Sequence, residues 1–154
     1  MKKIVASIAI ITSIFLLTAD QALAQSEMMR WRHSGGWGSG SQYSRLYDPQ
    51  TLETISGKIV SIERMTPMQR MSHGIRLMVK TAKETISVHL GPEWYVTNQD
   101  IQLQPNERVK IKGSRIIFND KPAIIAAEVK KGDKILTLRD SDGLPLWSGC
   151  CRQR

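Results

Sequence analysis

The chain has 154 residues, with 22 Lys and Arg against 14 Asp and Glu and only two cysteines, Cys150 and Cys151, side by side near its end. Without an N-terminal leader, about 130 residues make one domain and exclude two of ordinary size. A disulfide framework is excluded as well, because neighbouring cysteines close no long loop, and stability has to come from a hydrophobic core.

Residues 1–24 read as a cleavable signal peptide. Lys2 and Lys3 give a positive start, residues 4–19 are an apolar run, Asp20 and Gln21 end it, and Ala22-Leu23-Ala24 supplies the small residues of a cleavage site. The apolar run is short of the roughly 20 residues that span a bilayer comfortably. No later stretch is apolar enough to span one, so no transmembrane span is expected after cleavage behind Ala24, and the expected address is periplasmic or secreted. Cleavage takes Lys2, Lys3 and Asp20 from the 22 basic and 14 acidic residues and leaves 20 against 13, a formal charge of +7. A basic surface in that compartment suits anionic partners, such as lipid head groups, cell-wall polymers, acidic proteins or nucleic acid.

Residues 25–50 contain Gly35-Gly36-Trp37-Gly38-Ser39-Gly40-Ser41 and no apolar periodicity, the composition of a flexible leader. Trp31 and Trp37, beside Arg30, Arg32 and His33, are unusual in such a segment. From Thr51 the chain breaks into short runs of β character. Ile55, Gly57 and Ile59 share one parity and Val60 and Ile62 the other, which predicts a bulge or bend in a long first strand, eased by Gly57. Two alternating runs follow: Ile75, Leu77 and Val79 inward, then Ile86, Val88 and Leu90 inward with Ser87 and His89 outward. Residues 93–103 (EWYVTNQDIQL) are expected as a short helix, Trp94 and Tyr95 capping the open end of the sheet. Val109 and Ile111 point inward from a fourth strand, Asn119-Asp120 turns a hairpin, residues 122–129 form a fifth strand, and residues 135–138 add a short sixth.

Strand, hairpin pair, helix and hairpin pair is the order of an OB-fold. The expected class is mainly β: a five- to six-stranded OB-fold-like barrel over residues 51–147, with a short helix between strands 3 and 4. A basic tail with the vicinal Cys150-Cys151 pair follows over residues 148–154. An intramolecular bond between adjacent cysteines is strained, whereas bonding to another chain or to a soft metal is not.

Residues 47–147 resemble an uncharacterised family of exported bacterial OB-fold proteins. The stretches VHLGPEWY (88–95), VKIKGSRI (109–116), KPAIIAAEVKKGD (121–133) and LRDSDGLPLW (138–147) carry the likeness. Names in that family, OB-fold or DNA-binding, follow the fold, so the resemblance implies an architecture and brings no catalytic residues.

Signals for an enzyme are thin. The sequence has no Gly-rich phosphate loop, no metalloprotease helix motif, no nucleophile elbow and no Cys-x-x-Cys-His. The expectation is therefore a non-enzymatic binding module for an anionic macromolecule, an envelope protein or a small ligand, without a cofactor. Its candidate contact residues are the outward-facing Arg76, Lys80, Arg108, Lys110, Lys112 and Arg115. The first alternative is binding of single-stranded nucleic acid (DNA), which OB-folds achieve with a basic groove and stacking aromatics. The second and third strands carry no Phe, Tyr or Trp for that purpose. The second alternative is Cu(I) or Ag(I) binding by Met65, Met68, Met71 and His73, since thioether and imidazole ligands suit soft ions.

Overall fold

The structure, a computed structural model, describes residues 34–149. The signal peptide, Trp31 and the Cys150-Cys151 pair lie outside the described residues. The strands are β1 (Leu52–Met65), β2 (Gly74–Lys80), β3 (Thr85–Pro92), β4 (Arg108–Phe118), β5 (Lys121–Lys131) and β6 (Lys134–Thr137), and one helix, α1 (Glu93–Val96), follows β3. They form one sheet in the order β3-β2-β1-β4-β5-β6, and β3 pairs with β5 to close it into a barrel. That closing pair is parallel, Val88 lying beside Ile124, and every other pairing is antiparallel. This is the strand order of the OB-fold.

Strand β1 reaches both halves of the barrel because it bends. Its first half pairs with β4 (Leu52 with Ser114 to Lys58 with Arg108) and its second with β2. The register slips between Ile59 and Ser61, so Val60 is the bulged residue. The parity change read from the sequence is this bulge. Gly57 sits just before it, where a Cβ would lie 2.5 Å from the Lys80 carbonyl oxygen.

The core is what the alternation placed inside: Ile59, Leu77, Val79, Ile86, Val88, Ile111, Ile124 and Val129 are all at most 1 % exposed. Each such aliphatic side chain contributes about 1.5–3 kcal/mol on leaving water. On β5 the alternation gives way to an unbroken buried run, Ala123 to Ala127. That strand has β4, β3 and β6 for neighbours, and the Ala127 carbonyl accepts from the amides of Leu138 and Arg139 as the chain leaves β6. Asn119 and Asp120 turn the β4–β5 hairpin with φ of 49° and 61°, the conformation a tight primed turn requires.

Two expectations are corrected here. The helix is four residues long and does not run to residue 103. Beyond Val96 the side chains of Thr97, Asn98 and Gln99 donate to the carbonyls of Glu93, Trp94 and Tyr95 at 2.8, 2.8 and 3.1 Å. Polar side chains that satisfy the last carbonyls remove the incentive to add another turn. Tyr95 packs on the core as expected of a cap, while Trp94 stays 37 % exposed.

The second correction concerns residues 34–50, expected as part of a flexible leader. They are folded onto the barrel, with two short 3-10 turns (Ser44–Leu46 and Pro49–Thr51) and with Trp37 and Tyr43 each 1 % exposed. The composition misled because the glycines serve a turn that delivers aromatic side chains. Gly74 and Gly91, on adjacent strands, leave a shelf without side chains. A Cβ at Gly74 would lie 2.3 Å from the Trp37 ring, and one at Gly91 would lie 2.6 Å from the Trp147 ring. The two indoles meet edge to face at 6.4 Å, and Trp147 Nε1 donates to the Trp37 carbonyl at 2.8 Å. Both ends of the described chain are thus clasped on one patch of barrel. Arg139 completes the C-terminal side: it is 4 % exposed, lies 4.5 Å over the Tyr47 ring and donates from Nη1 to the Gly143 carbonyl at 2.8 Å.

Candidate functional site

Residues directly opposite on antiparallel strands share a face of the sheet, with Cβ atoms roughly 4.5–5.5 Å apart. Lys58 is opposite Lys80 on one side and Arg108 on the other, so three cations form a row across β2, β1 and β4. One step along β4, Lys110 is opposite Lys130 on β5. Lys58, Lys80, Arg108, Lys110 and Lys130 are all exposed, on the opposite parity from the core residues Ile59, Val79, Val109, Ile111 and Val129. Lys112, one step further, is opposite Glu128.

Among the described residues no carboxylate pairs with the five cations of these two rows, although ion pairs form all around them. Arg64 reaches Glu93 at 2.6 Å, Arg76 reaches Glu63 at 2.6 Å, Arg115 reaches Glu53 and Glu84 at 2.8 and 2.5 Å, and Lys131 reaches Glu107 at 3.1 Å. The hydrogen bonds from Ser61 and Arg76 hold the Glu63 carboxyl below its ordinary pKa, and the bond from Arg115 does the same for Glu84. Among the described residues, then, Glu53, Glu63, Glu84, Glu93 and Glu107 pair with cations elsewhere on the barrel, and on this face Glu128 stands opposite Lys112 while the five cations of the two rows have no ion pair. Like charges placed opposite each other in a sheet cost stability.

Of the six contact residues expected from the sequence, the structure gathers Lys80, Arg108, Lys110 and Lys112 on this face. Arg76 and Arg115 are held by acidic neighbours. Lys58 and Lys130 belong to the face and were missed. The signal for Lys58 was present, since it alternates with Gly57 and Ile59 ahead of the bulge. Lys130 follows Val129 in the same way. What one strand read alone does not reveal is the register that sets them beside other cations.

The remaining candidates sit elsewhere. Met65 is 8 % exposed at the end of β1, and Met68 and Met71 are half-buried against the core. His73 Nδ1 lies 3.1 Å from Thr66 Oγ1, and the His73 carbonyl accepts from the Glu93 amide. Met68 and Met71 thus pack against the core of the barrel. Among the described residues, no three His, Cys, Asp or Glu side chains come together as a metal site. His89, expected outward, does stand opposite in parity to Val88 and Leu90, yet it is 1 % exposed because Tyr43 and Phe118 cover it. Below the shortened helix lies a cleft of about 280 Å³ whose lining includes Ile62, Leu77, Leu90, Val96 and Ile101, with Gln99, Gln102 and Gln104 as polar members. Among the described residues no charged side chain lines it, and Thr97 joins the glutamines as a polar group. Among the described residues, no helix is long and apolar enough to cross a membrane.

The family model of the MamS/MamX magnetosome proteins matches residues 51–136, more than half of the chain. The chain belongs to the MamS/MamX magnetosome protein family. The likeness to exported OB-fold proteins read from the sequence is only loosely related to this family, which was not foreseen from the sequence. The MamS/MamX match takes in β1 to β5 and all but the last residue of β6, and therefore every cation of the two rows. No curated protein matches the chain.

Proposed function

We propose that the chain is an exported, non-enzymatic OB-fold binding module that holds an anionic macromolecule in the magnetosome setting for which its family is named. The observation that carries this reading is the pair of cationic rows, Lys80-Lys58-Arg108 and Lys110-Lys130, exposed and, among the described residues, without ion-pair partners. A sheet that sets like charges opposite one another gives up stability, and an anion laid across the rows restores it. The barrel supplies a rigid support, because the inward neighbours of these residues are fully packed.

Calorimetric titration of the chain with a sulfated polysaccharide tests the reading. Saturable binding is expected, with an affinity that falls steeply as salt rises, since ions are released from both partners. Absence of binding at physiological ionic strength would remove the basis for the proposal.

A further inference from the structure

The two rows do not lie in a plane. Barrel closure runs β1-β2-β3-β5-β4 and back to β1, and the cations occupy β2, β1, β4 and β5. Four of the five barrel strands therefore carry them, and their side chains point outward over more than half of the circumference. A flat anionic surface meets only part of such an arc at one time, whereas a flexible chain follows it. Among the described residues, nothing on the face offers a ring for a base to stack on. β1, β2 and β5 contain no aromatic residue, and Phe118 of β4 is half-buried against Tyr43 and His89. Trp94, exposed, belongs to α1 and not to these strands. Single-stranded nucleic acid takes much of its affinity on such platforms from stacking, about 1–3 kcal/mol per base. Beside the rows stand Val60, two residues beyond Lys58 on β1, and Ile135, opposite Lys130, each 53 % exposed. Apolar residues interspersed among acids in a polypeptide find contacts there that a polysaccharide or nucleotide backbone does not use.

Resting on the proposed function above, we propose that the anion is a flexible acidic polypeptide segment, wrapped across β2, β1, β4 and β5 with its carboxylates on the two cationic rows. The probes are a labelled peptide of glutamates with leucines interspersed, a labelled oligothymidylate of equal charge, and phosphatidylglycerol-containing vesicles, each titrated into the full chain at one ionic strength. The peptide is expected to bind most tightly. Replacing Lys58→Gln together with Lys110→Gln is expected to weaken it by about tenfold, equivalent to about 1.4 kcal/mol. Both positions are exposed, and an unchanged circular dichroism melt confirms that the variant is folded. Tighter binding of oligothymidylate or vesicles would overturn the choice of a polypeptide and leave the anion-binding function standing. Peptide binding that ignores the two substitutions would overturn the assignment of the segment to these rows. Binding of none of the three probes would overturn both.

Discussion

Tyr43 Oη and His89 Nδ1 lie 2.8 Å apart in a buried cluster with Phe118, whose ring centre is 5.0 Å from that of the imidazole. Burial, with a smaller contribution from the Arg76 charge, lowers the His89 pKa from 6.5 to about 4, and burial also pushes the Tyr43 phenol above its ordinary range. Both rings are neutral at physiological pH. Protonation is favoured in the unfolded chain and resisted in the folded one, so stability is complete above pH 6.5 and is lost as the pH falls towards 4. The full loss is on the order of 3 kcal/mol. The carboxyls of Glu63, Glu84 and Glu107 are lowered from 4.5 in the folded chain, so their contributions fade only below that value. Denaturant unfolding at a series of pH values, for the native chain and for His89→Gln, separates the two. The native chain is expected to lose stability between pH 6.5 and 4.5 and the variant to hold level there. Parallel curves over that window would contradict the burial argument.

At the scale of elements, the clasp of the two chain ends depends on glycines that let indoles reach the backbone. Gly74→Ala places a methyl group 2.3 Å from the Trp37 ring, and the ring is held in turn by Ser72, Tyr43 and Trp147. Overpacking of that kind costs about 1–3 kcal/mol. It should appear as a lower denaturant midpoint at unchanged slope, while Gly40→Ala, where nothing lies within 4 Å, leaves the midpoint in place. Equal midpoints for the two variants would mean that the indole does not bear on Gly74. The strands were legible because their inner faces are apolar at period two, and the β1 bulge was legible because the period slips at Val60. The clasp was not. Residues 34–50 have no periodicity, and their fixed structure comes from single aromatic side chains meeting barrel positions many residues distant. The helix was overlong in the sequence reading because Thr97, Asn98 and Gln99 continue a polar pattern that the backbone does not follow.

For the whole molecule, the net charge of +8 says little by itself, because its placement decides what it does. Alternation identified which basic residues face outward. It did not identify which are neutralised, since Glu53, Glu63 and Glu84 reach their arginines across strand registers that one sequence does not display. The two cationic rows appear only when β1, β2, β4 and β5 are laid side by side. The binding account therefore predicts that position matters and total charge does not. The most direct measurement is the salt concentration at which the protein elutes from an immobilised sulfated polysaccharide. Lys58→Gln with Lys110→Gln is compared with Arg45→Gln with Lys121→Gln, two exposed cations outside the rows. Both double variants lose the same charge. Elution of the first pair at clearly lower salt, with the second pair close to the native chain, is the predicted result; an equal shift for both pairs would contradict it.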